Sequence, residues 1–209
     1  MGKLRVKTKI LGIVRTNCYL VMNTETKEAI IIDPADSAET VIAAATTLEV
    51  KPVGILLTHG HFDHIGAAAE LSKHYGIEVA AGSAEAQLLK EAELNLSTQI
   101  DTLLSVIPER LFRDREMISL AGFQIQVFYT PGHTSGGVCY YFPEEEVMFT
   151  GDTLFYESIG RTDLPTGSAA ALVRSVQELL NNIPEITTVY PGHGSRTTIA
   201  HEKAYNSFI

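Results

Sequence analysis

Tryptophan is missing altogether from the 209 residues, and cysteine occurs only twice. No run of about 18 apolar residues exists, which argues against a membrane-spanning helix. The first residues, Met1-Gly2-Lys3-Leu4-Arg5-Val6-Lys7, are basic, yet no apolar stretch of signal-peptide length follows them, so the expected location is the cytoplasm. Cys18 and Cys139 lie far apart in strand-like contexts and read as buried, reduced thiols rather than as a disulfide or a nucleophile. A basic patch is lacking too. Lysine and arginine total 16 against 25 acidic residues, a formal net charge of -9, and such a surface repels phosphate backbones. Arg110, Arg113 and Arg115 alternate with Glu109, Asp114 and Glu116 as a solvated face. Neither nucleic acid nor a membrane is an expected partner; a small molecule is.

What is present suits a folded globular protein: 45% hydrophobic and 20% charged residues, in a length that fits one domain over 1–209. Histidine is where the sequence becomes dense. Three histidines and an aspartate fall within six residues, His59-Gly60-His61-Phe62-Asp63-His64. His59 and His61 are two apart, so in an extended segment leaving a strand both side chains project from one face and can grip one ion. Asp63 and His64 follow where the chain should turn, which aims them at a neighbouring position, so one loop supplies ligands to two adjacent metals.

Periodicity places this loop in an alternating α/β chain. Strands are expected at 10–14, 18–22, 29–32, 53–58, 77–80, 117–120, 123–130, 138–142, 147–150 and 188–190. Helices are expected from Ser37 to about 48, from Gly66 to His74, from Ser83 to about 92, from Ser168 to 181, and over 199–205. Ala121-Gly122 reads as a hairpin turn, and Glu144-Glu145-Glu146 as a solvated tip. Asp33, at a strand end before Pro34, is either a carboxylate orienting a metal-binding histidine from behind or a turn cap. His74 and His201 read as surface residues. Residues 93–115 show no clear pattern and are either a lid over the site or packing.

His133, Asp152 and His193 each follow a short apolar strand and a glycine, as His59 follows a strand, so these strand ends should converge on one edge. Five of the seven histidines with Asp63 and Asp152 then make a donor set sufficient for two divalent ions. Zinc, iron and manganese all suit such a mixture of imidazole and carboxylate.

The segments HGHFDH at 59–64, PGHTSGG at 131–137, FTGDTLF at 149–155 and YPGHG at 190–194 together resemble the metallo-β-lactamase superfamily over nearly the whole chain. The resemblance implies an α/β fold, an αββα sandwich of two mixed β-sheets flanked by helices, with the site at one sheet edge. It implies that His59, His61 and His133 bind a first metal, that Asp63, His64 and His193 bind a second, and that Asp152 bridges them. Within the superfamily the chain is most similar to the glyoxalase II group, the hydroxyacylglutathione hydrolases and their shorter bacterial relatives, which the stretch at 158–165 also resembles. In the true lactamases a cysteine or serine commonly takes the place of Asp152. The chain stops soon after His193, without the carboxyl-terminal helical domain that helps hold glutathione in full-length glyoxalase II.

The implied activity is hydrolysis of a thioester such as S-lactoylglutathione by a binuclear enzyme, zinc being the first expectation. Metal-generated hydroxide attacks the acyl carbonyl, with Asp63 and Asp152 at the reaction centre. Arg161 either binds a carboxylate on the thiol carrier or pairs with Asp163 at the surface. Two alternatives stay open: a persulfide dioxygenase with one iron at the first site, whose relatives also carry a segment like Gly160-Arg161-Thr162-Asp163, and a lactone or ester hydrolase on the same fold.

Overall fold

The computed structural model describes residues 3–209. Its first sheet contains β1 (Leu4–Leu11), β2 (Thr16–Asn23), β3 (Glu28–Ile32), β4 (Lys51–Leu56), β5 (Val79–Gly82) and β6 (Arg110–Phe112), in that spatial order. The first three strands run antiparallel to one another, and β3 to β6 are parallel. The parallel strands are joined through α1 (Ala38–Thr47), the single turn α2 (Phe62–Ile65) with α3 (Ala68–Tyr75), and α4 (Ala86–Lys90).

The second sheet is built from β7 (Met117–Leu120), β8 (Phe123–Tyr129), β9 (Val138–Phe142) and β10 (Val147–Gly151). A small hairpin of β11 (Leu154–Phe155) and β12 (Ser158–Ile159) follows, then α5 (Ala169–Asn182). Strands β13 (Thr188–Pro191) and β14 (Thr197–Thr198) complete this sheet in the order β14-β13-β10-β9-β8-β7, and α6 (Ile199–Tyr205) comes last. Within this sheet β10 and β13 pair in parallel and the other neighbours antiparallel, so both sheets are mixed.

Alternation along the strands explains the layering. Every residue of β2 is buried, because Cys18, Leu20 and Met22 face the helices while Tyr19 and Val21 face the other sheet. The first set joins Ile31, Ile55 and Leu57 against Val41 of α1 and Leu71 of α3. The second joins Ile30, Ile32, Phe123, Tyr140 and Phe149 between the sheets. On the outer side of the second sheet, Leu172, Val176 and Leu179 form the buried stripe of α5, which Ser168 caps by accepting from the Ala171 N–H. Helix, sheet, sheet and helix are thereby stacked, the αββα order expected.

The differences lie at the margins. The first strand is Leu4–Leu11, not 10–14; the chain turns at Gly12 and Arg15, both with positive φ. Arg5, Lys7 and Lys9 interrupt the apolar signal, but an edge strand needs only backbone pairing, here with β2 in unbroken register. The element expected over 77–80 is shifted to Val79–Gly82, and the helix expected from Ser83 is a short 3-10 turn, Ser83–Glu85, leading into α4. His201 is partly buried, stacked on Tyr156 with Nε2 2.9 Å from Glu157 Oε1, whereas His74 is exposed. Both cysteines are buried free thiols, and burial pushes the Cys139 thiol up to about 11. Among the described residues no helix is long and apolar enough to cross a membrane.

Residues 93–107 are packed as a wall beside the site. Asn95 and Ser97 are buried: the Asn95 carbonyl accepts from the Phe62 N–H, its side-chain amide donates to the Leu104 carbonyl, and Ser97 Oγ accepts from the Leu104 N–H. Those bonds fix an irregular backbone that no hydrophobic period would reveal.

Candidate metal centre

The carboxyl ends of β3, β4, β8, β10 and β13 open on one edge of the sandwich, and every histidine and aspartate singled out above for metal binding is found there. Beyond β4 the chain continues through Leu57 and Thr58 to His59. Asp33, just past β3 with φ 48°, accepts from the Thr58 N–H at 2.8 Å and from Thr58 Oγ1 at 2.6 Å. Its Oδ2 also lies 2.9 Å from His64 Nδ1. Of the two roles open to Asp33, orienting a histidine from behind is the one the structure displays. The His64 Nδ1–H donates to Asp33, and Nε2 is left facing inward.

The other rings are held in the same way. His59 Nδ1 lies 3.1 Å from Thr58 Oγ1, and His133 Nδ1 lies 2.8 Å from the Arg161 carbonyl. His61 Nδ1 then comes within 2.9 Å of His133 Nε2. His59, His61 and His133 form one group whose ligand atoms all lie within 4.8 Å of one another, and Asp63, His64 and His193 form a second. Asp152 stands between them: Oδ1 is 3.4 Å from His64 Nε2, while Oδ2 is 3.5 Å from both His133 Nε2 and His193 Nε2. Asp63 Oδ2 accepts from Thr16 Oγ1 at 3.0 Å and sits 3.3 Å from His193 Nε2.

Four polar atoms here are buried without a hydrogen-bond partner: Nε2 of His59, His61 and His64, and Oδ1 of Asp152. An unsatisfied buried polar group costs roughly 1–3 kcal/mol, so four in one small volume would be a heavy local penalty. A cation bound among them removes it, and the donor set of imidazoles and carboxylates is the kind that zinc, iron and manganese accept. The residues therefore fit a pair of divalent ions. Backbone packing agrees, because a Cβ at Gly192 would strike Asp152 Oδ1 and His64 Cε1.

Charge is divided between the two groups. Burial pushes His61 down to about 3, with His133 and His64 adding to the effect, and burial likewise holds His59 well below the usual imidazole range, leaving neutral rings with lone pairs to donate. Burial also opposes a charged His64, but Asp63, Asp152 and Asp33 overcome it and raise His64 well above that range. Burial opposes the charge of Asp63 and Asp152 as well, but His64 and His193 together, with a hydrogen bond from Thr16 at Asp63 and the nearby His133 at Asp152, outweigh it and lower both. His59 and His61 of the first group are neutral, whereas the second group is rich in carboxylate.

A cleft of about 530 Å³ opens over these residues, with Val14, Phe62, Leu96, Phe155, Ile159 and Leu164 as its apolar lining. Arg161 lies on its rim with Nε and Nη2 each 2.7 Å from a carboxylate oxygen of Asp163, and both side chains are exposed. On the other side of Val14 and Phe62 a second cleft of about 300 Å³ also reaches Asp63.

Sequence reasoning overlooked the residues that hold these loops. Asn17 Nδ2 donates to the carbonyls of Pro191 and Gly194 on either side of His193, and the Asn17 N–H donates to the Gly192 carbonyl. Glu85, fully buried, accepts from the Gly60 N–H and from Thr134 Oγ1. Neither stands near a motif in sequence; only their partners do.

Comparison with known proteins agrees with this geometry. A profile of the Metallo-beta-lactamase superfamily matches residues 11–193. The chain is 37% identical to hydroxyacylglutathione hydrolase GloC of Haemophilus influenzae, over 92% of each chain. Among solved structures, that of BLEG-1 B3 metallo-beta-lactamase superposes with a TM-score of 0.92 at 38% identity, covering 98% of this chain and 99% of the other. TTHA1623 in a di-iron-bound form superposes with a TM-score of 0.86 at 36% identity, covering 97% and 100%. A likeness that spans both sheets and every loop of the site leaves one assignment: the chain belongs to the metallo-beta-lactamase superfamily.

Proposed function

We propose that this chain is a single-domain, binuclear metal-dependent hydrolase acting on thioesters, with S-lactoylglutathione as the first substrate to test. The convergence of seven donors, four of which keep a buried polar atom without a partner, carries this reading. His59, His61 and His133 would hold the first ion, Asp63, His64 and His193 the second, and Asp152 both. Zinc is the first expectation, and the di-iron form of TTHA1623 keeps iron in view. When bound, such ions polarise the acyl oxygen and acidify a water molecule at neutral pH.

The chain's own residues supply the rest. Asp63 is held ionised, borders both clefts and is steadied by Thr16, so it would hold the second ion and orient the attacking water, and would take that water's proton only with the first site alone filled. Asp152 keeps the two ligand groups in register. The clefts on either side of Val14 and Phe62 give the acyl group and the thiol carrier separate places. A thiolate leaves without a proton from the protein, so no side chain need act as its acid. Arg161 would exchange Asp163 for a carboxylate on the thiol carrier, an exchange that is easy because water screens the exposed pair. The partner is then a small molecule, the net charge of -9 weighs against nucleic acid, and the two buried thiols fit a cytoplasmic place.

The GloC relative supports the thioester, and the BLEG-1 neighbour favours a second reading, β-lactam hydrolysis, in which water also attacks an acyl carbon. The test is turnover of S-lactoylglutathione against a chromogenic cephalosporin, an aliphatic lactone and glutathione persulfide. Thioester turnover dominates on the first reading. Cephalosporin cleavage alone would replace it with the second, and oxygen uptake with persulfide alone would make the chain a mononuclear iron dioxygenase.

A further inference from the structure

Glu85 is fully buried at the end of the short turn between β5 and α4. It reaches none of the seven donors, yet it touches the backbone or side chain next to three of them. Oε1 accepts from the N–H of Gly60, the residue between His59 and His61, at 2.9 Å. Oε2 accepts at 3.1 Å from Oγ1 of Thr134, the residue after His133. One carboxylate thus links two loops, 59–61 and 133–134, that are 72 residues apart at their ligands.

The packing around this link is close. A Cβ on Gly60 would come within 2.8 Å of Leu88 and 2.9 Å of Leu89, and a Cβ on Gly136 would run into the backbone of Ala84 and Glu85. One loop therefore lies against α4 and the other against the turn that carries the carboxylate, and glycine at each contact permits it. A buried carboxylate is costly unless its acceptors are filled, so it confines the Gly60 amide and the Thr134 hydroxyl to one geometry. The second group is held by other means. Asp63 and His64 belong to one turn, Asp33 orients His64, and Asn17 clamps the loop of His193.

We propose that Glu85 is a positioning residue for the first metal site: its carboxylate sets the spacing between the loop of His59 and His61 and the loop of His133, and so governs zinc affinity at that site and not at the other. This rests on the ligand assignment made above. Gln at this position keeps the shape but replaces one accepting oxygen with an N–H₂ group, which must face either the Gly60 N–H or the Thr134 hydroxyl. Thr134→Val removes only the second of the two bonds.

The experiment is zinc competition against a chromophoric chelator on the full chain, in two backgrounds. His193→Ala leaves the first group whole, and His61→Ala leaves the second. Adding Glu85→Gln in the first background should weaken zinc binding about 10–100-fold, the usual cost of losing a residue that orients ligands, and in the second should change it less than about twofold. Thr134→Val should act in the same direction and more weakly, and it serves as the test if Glu85→Gln does not fold. Cobalt(II) in the His193→Ala protein should show an altered visible spectrum when Glu85→Gln is added. Equal losses in both backgrounds would make Glu85 merely structural and overturn the proposal, as would no loss in either. A wild-type chain that binds no zinc would overturn the ligand assignment itself, a different result from unaltered affinity in a chain that binds it.

Discussion

Asp33 Oδ2 lies 2.9 Å from His64 Nδ1, and this contact aims His64 Nε2 at Asp63 and Asp152 from 3.6 and 3.4 Å. The same carboxylate takes both hydrogen bonds offered by Thr58, so the last residue before His59 and the fourth donor of the loop share one anchor. Asp33→Asn should weaken binding of the second ion by about 10–100-fold, because the amide cannot accept from Thr58 and His64 together. Stepwise zinc titration reads this directly. Unchanged affinity at both steps would show that His64 keeps its orientation without Asp33.

Gly192 is where a single methyl should do most harm. Its Cβ would strike Asp152 and His64 together, and neither has room to retreat from a buried site. Gly192→Ala should cost about 1–3 kcal/mol of stability from overpacking and abolish turnover by shifting the carboxylate between the ligand groups. Urea unfolding and a thioester assay on the same preparation check the pair of effects; full activity would place Asp152 outside the chemistry.

Arg161 and Asp163 make a prediction with two signs. If the substrate's carrier must displace Asp163 from Arg161, Asp163→Ala should lower KM for a carboxylate-bearing thioester, and Arg161→Ala should raise it by about 3–10-fold with kcat little changed. Steady-state kinetics on S-lactoylglutathione and on a thioester of an uncharged thiol separate the cases. The same KM for both substrates in all three proteins would leave the Arg161–Asp163 pair as surface structure alone.

Glu85 gives the metal-free protein a pH dependence. Burial raises its carboxyl from 4.5 to about 7, so the folded chain keeps a proton that the unfolded chain releases. The stability this contributes, relative to the ionised protein, is fully present below about pH 4.5 and is lost as pH rises through about 7. At roughly 1.4 kcal/mol per pH unit the loss approaches about 3 kcal/mol. Urea midpoints for wild type and Glu85→Gln, with chelator present from pH 4.5 to 7.5, isolate this group from the histidines that titrate in both proteins. Parallel profiles would mean that Glu85 is ionised throughout.

The donors were legible because the same local arrangement recurs: an apolar strand, a tight turn, and a histidine or aspartate at its end. His59, His133, Asp152 and His193 all follow it, and strands that share a direction bring such ends together. What remained illegible was each residue whose meaning depends on a distant partner. Asp33 read equally well as a turn cap until His64, 31 residues on, proved to be its partner. Arg161 reads equally well as a carboxylate binder or as the partner of Asp163, and the structure pairs it with Asp163. Asn95 and Ser97 anchor the patternless wall through backbone bonds, and Glu85 sits in a stretch that reads as plain helix. The strand Leu4–Leu11 is hard to read because exposed Arg5 and Lys7 break its apolar pattern on an edge, where pairing needs no apolar side chain.

Elemental analysis of protein purified without added metal is the shortest route to whether two ions share this edge of the sandwich. Two neighbouring sites should hold about two ions of zinc, iron or manganese per chain, with about one remaining in His193→Ala and turnover of S-lactoylglutathione lost on chelation. A single iron per chain, unaffected by His193→Ala and accompanied by no thioester turnover, would contradict it.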